Sequence, residues 1–448
     1  MSAKSDLLKS KHVIVVGAGF AGVAAARRLA TAGVRVTLID RNRYHTFQPM
    51  MYQVATALIA AGDIAYPLAH LAEHHKQLVV INAEVVSVDP TTKTVTSKDG
   101  ATVSGDYLIL ATGAEVNFFD TPGSEFTFPM YTLHDADALK THFVQLLIDA
   151  SREPQSIDDA TLSFVIVGGG ATGVETAGHI SDLFKDVVSK EFPELANKPV
   201  KVTIVDAGSA PLSSFHTKVQ EYTVNQLNKL GVTQRFGVEV KSVTADSVSL
   251  GDGTSIPAKT VVWAGGSKAS ALAAQSGLPT GHGGRIEVDV NGEVEGFPGV
   301  FVLGDIANTP APQGGNFPGL GGVALQQGKH AGKAIIGLIE GKNVKSFHYH
   351  DKGNMAMISK HSAVAEFGNN HHTLEGPLGF AAWLGVHLYL LEGVRQKTGA
   401  LTSWAWDFFS SERSQLRVVE DTGPAIDWPG DEPSVAQQDA ASGTKTPI

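Results

Sequence analysis

Two copies of one glycine-rich turn, Gly17-Ala18-Gly19-Phe20-Ala21-Gly22 and Gly168-Gly169-Gly170-Ala171-Thr172-Gly173, stand about 150 residues apart. Each lies between an apolar run and a helix-like run. The first follows His12-Val13-Ile14-Val15-Val16, continues into Val23 to Leu29, and reaches a second apolar run, Val36 to Ile39, that ends in Asp40. This order predicts a complete strand–helix–strand unit. Its first glycine permits the tight turn, its second lets the backbone approach a pyrophosphate, and its third lets the helix pack against the strand. The N–H groups at the start of the helix have no partner within it and attract phosphate. Asp40, 23 residues after Gly17, is placed to bond ribose hydroxyls.

The second copy follows Leu162 to Val167 and leads, after a longer helical stretch that includes Leu183 and Phe184, to Lys201-Val202-Thr203-Ile204-Val205-Asp206. A carboxylate at Asp206 repels a 2′-phosphate, and no arginine follows in Ala207-Gly208-Ser209-Ala210, so this site is expected to prefer NADH to NADPH. The chain is expected to bind two dinucleotides.

Tyr107 to Leu110 reads as a buried strand entering the small-residue turn Ala111-Thr112-Gly113, and Thr260 to Trp263 enters its counterpart, Ala264-Gly265-Gly266. Gly299 to Leu303 is a further apolar strand ending in Gly304-Asp305, followed by a Pro/Gly loop and a helix from about Val323. The fold class is therefore α/β, with two Rossmann-like dinucleotide-binding domains, one inserted in the other, and a C-terminal region. The expected boundaries are 1–125 with 285–340 for the first domain, 126–284 for the second, 345–415 for the C-terminal region, and a mobile tail at 416–448.

The chain has 448 residues, 43% hydrophobic and 18% charged, enough for two or three domains with substantial cores. A net charge of −10 with no long basic block argues against nucleic acid as a partner. Cysteine is absent, which excludes a redox-active Cys pair and Cys-ligated zinc or iron–sulfur sites. Seventeen histidines offer no clear ligand set, and no metal is assigned. Residues 1–11 contain no apolar signal-peptide core, so the catalytic part is expected to stay in the compartment of synthesis. The longest uncharged apolar run, Gly376 to Leu391, holds 16 residues, fewer than the roughly 20 of a spanning helix. Trp383, Trp404 and Trp406 lie in this region, which favours an anchor in the lipid interface over a buried helix or a dimer seam.

Beyond the glycine turns, three segments carry a resemblance: Arg43-Tyr44-His45-Thr46-Phe47-Gln48-Pro49-Met50-Met51-Tyr52-Gln53-Val54-Ala55-Thr56, then Gly168 through Glu175, then Trp383-Leu384-Gly385-Val386-His387-Leu388 with Trp404-Ala405-Trp406-Asp407-Phe408-Phe409. Over roughly residues 10–415 the chain resembles the type II NADH:quinone oxidoreductases of the pyridine nucleotide-disulfide oxidoreductase superfamily. The resemblance implies a flavoprotein of the respiratory chain that passes electrons from NADH through FAD to a membrane quinone without pumping protons. It further implies a peripheral homodimer on the cytoplasmic face of the cell membrane, held to the bilayer surface by its C-terminal region.

Carried over by position, Gly17, Ala18, Gly19, Phe20, Ala21, Gly22, Asp40 and Arg41 would hold the adenosine and pyrophosphate of FAD. Thr112, Gly113, Gly304, Asp305 and Ala324 would line it, with Asp305 on the ribityl chain. Gly168, Gly170, Ala171, Thr172, Gly173, Asp206 and Gly265 would hold NADH. Glu175 would lie near the nicotinamide and flavin rings, where a helix-stabilising acid is the plainer alternative. The family's quinone-side helix begins Ala-Gln-x-Ala-x-Gln, whereas this chain reads Gly321-Gly322-Val323-Ala324-Leu325-Gln326-Gln327. The second glutamine is kept as Gln326, the catalytic candidate on that side, and the first is replaced by Gly322. The loss leaves open another acceptor, such as a ferredoxin-like protein, a small molecule or oxygen, and a slowly turning redox sensor is a further alternative.

Overall fold

A computed structural model describes residues 3–368, 371–410, 413, 415 and 416. Apart from Leu416, the expected tail at 416–448 lies outside the described residues. The first domain is built on a parallel sheet of five strands in the order Val300–Val302, Tyr107–Leu110, His12–Val16, Arg35–Asp40, Leu78–Asn82. Both faces of such a sheet are covered, which is why Val13, Ile14 and Val15 form an unbroken apolar run with no exposed surface.

The second domain repeats the plan with Phe128–Pro129, Thr260–Trp263, Ser163–Val167, Lys201–Asp206 and Val232–Phe236, again all parallel. The duplication extends further than the glycine turns indicate, because each domain also carries a three-stranded antiparallel sheet. In the first it is Val85–Asp89, Thr94–Ser97 and Thr102–Ser104; in the second, Val240–Val243, Ser247–Leu250 and Ser255–Pro257. One face of the second domain's parallel sheet is packed by Phe143, Phe164 and Phe184, whose ring centroids lie 4.4–5.7 Å apart. Truncating one such ring to alanine typically costs about 3–5 kcal/mol.

The chain passes between the domains along two adjacent strands, Ala114–Val116 outward and Ser267–Ala269 back, paired antiparallel. After the return, Ala269, Leu272, Ala273 and Leu278 join the first domain's core, ahead of the boundary expected at 285. The helix Gly321–Glu340 then crosses the first glycine-turn helix, Phe20–Thr31. Only glycine fits at that crossing: a Cβ on Gly328 would lie 2.1 Å from the Ala21 carbonyl oxygen, so the two backbones touch and Ala324 is carried to the turn.

The C-terminal region contains a sheet that the sequence did not announce. Strands Asn354–Ser359, Ser362–Phe367 and His372–Glu375 pack on the second glycine-turn helix, Ala171–Glu191, where a Cβ on Gly178 would lie 1.7 Å from the Ile358 carbonyl oxygen. Helices Gly376–Leu390 and Val394–Ser410 follow. Among the described residues no helix is long and apolar enough to cross a membrane. The three tryptophans do not all face the lipid interface as expected: Trp383 and Trp404 are buried and pack edge to face at 5.8 Å, so of the three only Trp406 points outward. The exposed apolar groups are instead Leu378, Val386, Tyr389, Leu390, Val394 and Leu401 with Trp406, Phe408 and Phe409.

These helices are fastened to the first domain. The Arg27 guanidinium donates two bonds to Glu392, at 3.0 and 3.2 Å, and Gln396 Nε2 donates to the Ala65 carbonyl at 3.2 Å.

Candidate active site

The two turns share one backbone geometry. Gly17 has φ +98° and Gly168 φ +117°, a region that other residues rarely adopt. Each amide donates to the end of the neighbouring strand at 2.8 Å, Gly17 to Ile39 and Gly168 to Val205. A Cβ on Gly22 or Gly173 would stand 1.8 Å from the carbonyl oxygen of Gly17 or Gly168, so the helix begins in backbone contact with the turn. By contrast, Cβ atoms on Gly19 and Gly170 would meet nothing within 4 Å. The middle position of each turn is open, and the free N–H groups of Phe20, Ala21 and Gly22, and of Ala171, Thr172 and Gly173, lead from it into the helix. A cradle of this shape fits a pyrophosphate.

Both acids sit at the strand ends and brace their own turns. Asp40 accepts from the amides of Ala18 and Asn42, each at 2.6 Å, and burial raises its pKa against those bonds. Asp206 accepts from Gly169 at 2.6 Å and Gly208 at 2.5 Å. Arg41 is exposed on the loop beyond Asp40. Gly265 lies against the second turn, since a Cβ on Gly168 would come within 2.7 Å of its Cα, and the Ala111 carbonyl closes on Gly17 in the same way at 2.3 Å. Beyond Ala111, Thr112 Oγ1 bonds Ser270 Oγ at 2.7 Å, and Gly113 has φ +70°.

Asp305 is half-buried beside Ala324, Gly319 and Arg285, and no described residue donates a hydrogen bond to it. Burial raises its pKa, with the Arg285 charge opposing. It therefore has capacity to spare for hydroxyls of a bound molecule. The glutamine that turns toward this pocket is Gln327: its Oε1 accepts from Gly304 N at 2.8 Å and its Nε2 donates to Thr309 Oγ1 at 2.9 Å. Gln326, the one selected from the sequence, is half-buried on another side of the helix, where its amide and the His350 backbone exchange two bonds of 3.0 and 3.1 Å.

Glu175 does not stabilise an exposed helix start. Its side chain is buried and accepts from the Met357 amide at 3.0 Å, a partner in the unforeseen C-terminal sheet. Desolvation raises its pKa well above the usual carboxylate range and so favours its protonated form. Around it runs a polar chain that sequence reasoning missed. Tyr52 Oη accepts from Gln53 Nε2 at 3.1 Å, and Gln53 Oε1 accepts from Trp404 Nε1 at 2.8 Å. His179 donates from Nδ1 to the Glu175 carbonyl at 2.8 Å and lies 4.7 Å from the Tyr52 ring. Burial lowers the His179 pKa to about 3, so the ring is neutral and its buried Nε2 keeps a free lone pair.

The Glu175 shift has a sign that can be measured. A carboxyl whose folded pKa is raised contributes stability fully below its unfolded pKa and loses it as pH rises toward the folded value. From the usual carboxylate range upward, the wild type should therefore lose stability relative to Glu175→Gln, by up to about 1.4 kcal/mol per pH unit. Thermal unfolding of both proteins between pH 5 and 8 checks this, and parallel curves would contradict it.

An aromatic path joins the C-terminal helices to the head of the Gly321–Glu340 helix. His387 stacks on Trp383 at 3.7 Å, Phe47 meets His387 edge-on at 6.0 Å, and Phe20 meets Phe47 at 5.8 Å. The Phe20 ring lies 3.2 Å from where a Cβ on Gly321 would be.

Two dinucleotide cradles in one frame define an oxidoreductase of the two-nucleotide class, and the family described as pyridine nucleotide-disulphide oxidoreductase matches residues 11–328. Over 437 residues the chain is 33% identical to Type II NADH:quinone oxidoreductase NdhA of Mycobacterium tuberculosis, covering 93% of this chain and 92% of that protein. A Type II NADH:quinone oxidoreductase of Staphylococcus saprophyticus is 29% identical, covering 79% and 89%. The chain belongs to the type II NADH:quinone oxidoreductase family. Its fold is that of NDH2 from Plasmodium falciparum, solved in complex with NADH, with a TM-score of 0.83 at 17% identity over 91% of this chain and all of that one. Since the chain has no cysteine, the disulphide branch of the wider family's chemistry is closed to it.

Proposed function

We propose that the protein oxidises NADH with a membrane quinone, holding FAD in the first domain and NADH in the second, without proton pumping. The observation that carries this reading is the pair of intact, open-centred turns held in one frame by the double-strand crossover. FAD when bound supplies the two-electron relay between the two substrates. Gly17 to Gly22 seat its pyrophosphate, Asp40 its ribose, and Thr112, Gly113, Gly304, Asp305 and Ala324 the remainder, with Arg41 at the rim. Gly168 to Gly173, Asp206 and Gly265 seat NADH, and the Asp206 carboxylate disfavours a 2′-phosphate.

Burial favours the protonated form of the Glu175 carboxyl, which can pass that proton to an acceptor taking up two electrons and two protons. The packed rings of Phe20, Phe47 and His387 join the C-terminal helices to the first domain and give a flat, apolar acceptor an aromatic surrounding. The exposed apolar face of those helices rests on the bilayer surface as a peripheral anchor. The finer placement, a homodimer on the cytoplasmic face, rests on the family resemblance.

The test is NADH oxidation by the FAD-loaded protein in lipid, with a menaquinone or ubiquinone analogue, against oxygen alone. Rapid quinone-dependent turnover is expected. Flavin reduction by NADH with no response to either quinone would move the acceptor to another chemical class.

A further inference from the structure

The head of the Gly321–Glu340 helix is a bare piece of backbone. Gly321 and Gly322 are exposed, and Leu320 before them is 38% exposed. A Cβ on Gly322 would meet one atom within 4 Å, the phenol oxygen of Tyr349, at 3.5 Å. The phenol thus stands in the volume that a longer side chain at 322 would fill. Phe20 flanks Gly321 on the other side.

Tyr349 is held from three directions. Gln326 pairs with both backbone groups of His350 next to it. Asn291 Oδ1 accepts from the Phe347 amide at 3.0 Å two residues earlier. The Phe317 ring meets the Tyr349 ring edge-on at 5.8 Å. Yet the phenol oxygen makes no hydrogen bond to a described residue. Its ring is half-buried and fixed, and its donor is free.

Resting on the quinone reading above, we infer that Tyr349 supplies the hydrogen bond to the quinone carbonyl that an amide at position 322 would otherwise supply, and that Gln326 acts on the acceptor through the segment carrying Tyr349. The bond orients and polarises the carbonyl, and no covalent step passes through the phenol. Burial raises the phenol's pKa, with the Asp351 charge adding to it, so the donor proton is retained at neutral pH. Phe20 and the bare helix head flank that donor, and Phe20 in turn packs on Phe47 and, through it, His387.

The experiment compares wild type, Tyr349→Phe, and Tyr349→Phe combined with Gly322→Gln, all FAD-loaded and full length, using a short-chain quinone. Two quantities are read: quinone Kd from quenching of flavin fluorescence without NADH, and KM for quinone and for NADH in turnover. Losing one hydrogen bond should raise quinone Kd and KM about tenfold with the KM for NADH unmoved. The double variant should recover most of the loss, because removing the oxygen clears room for the amide. Flavin content and melting temperature should match wild type, since the phenol oxygen bonds nothing inside the protein. Unchanged quinone Kd and KM in Tyr349→Phe would overturn the assignment, and a loss without recovery in the double variant would overturn the equivalence with an amide at 322. If wild type neither binds nor turns over the quinone, the functional reading itself fails and this assignment falls with it.

Discussion

Protein carrying Gly22→Val is expected to purify without flavin and without NADH oxidation. The added Cβ would begin 1.8 Å from the Gly17 carbonyl oxygen, so the turn must open before the helix can form, and a β-branched side chain has no rotamer that relieves the contact. Gly19→Ala separates the two jobs of this turn. A Cβ there meets nothing within 4 Å, so the variant should fold with the wild-type content of secondary structure, yet the methyl occupies the space left for the pyrophosphate. Both variants should lose FAD affinity by at least about a hundredfold, since a displaced phosphate forfeits two or more charge-assisted bonds. Only Gly22→Val should also lower the melting temperature of the flavin-free protein. Flavin absorbance of the purified proteins and flavin titration check this, and full flavin content in Gly19→Ala would contradict the placement.

The second large effect concerns the C-terminal helices. Val394, at 80% exposure, and Phe409, at 85%, stand with Trp406 on the outward face of the Val394–Ser410 helix region, clear of the buried Trp404. Moving three such side chains from water into the interface stabilises the bound state by about 1–2 kcal/mol each. Replacing all three by aspartate removes that gain and adds charge, so partitioning onto vesicles should fall by about a thousandfold or more. The change should leave the fold intact because the replaced groups are solvent-facing. Vesicle co-sedimentation measures the partitioning, and unchanged sedimentation would place the lipid contact elsewhere. Neutral-lipid vesicles keep electrostatic attraction from hiding the effect.

The parts of this molecule legible in its sequence are the ones specified locally. The turns, the strands before them and the acids Asp40 and Asp206 are fixed by spacing within about forty residues, and the structure has them where the spacing puts them. What could not be read depends on distant partners. Glu175 looked like a helix-terminus acid because its partner, the Met357 amide, is 182 residues away. Trp383 and Trp404 looked interfacial, but composition cannot show that each packs against the other and that Trp404 bonds Gln53. Gln326 and Gln327 differ by one helix position, and only the crossing with Phe20–Thr31 decides which of them meets Gly304. Tyr349 gave no signal, since it lies in a stretch without periodicity and matters only through its nearness to Gly322.

The crossover has a consequence for how the molecule is made. On the ribosome the second domain emerges as one uninterrupted stretch, whereas the first must wait for Val300–Val302 to close its sheet and for Gly321–Glu340 to press on Phe20–Thr31. At ordinary synthesis rates, about 5–20 residues per second, the N-terminal turn therefore spends roughly 15–60 seconds unsupported before its flavin can be captured. The sheet behind the second turn is thus complete before the one behind the first, in reverse of chain order, and the first turn can take its nucleotide only once that interval has passed.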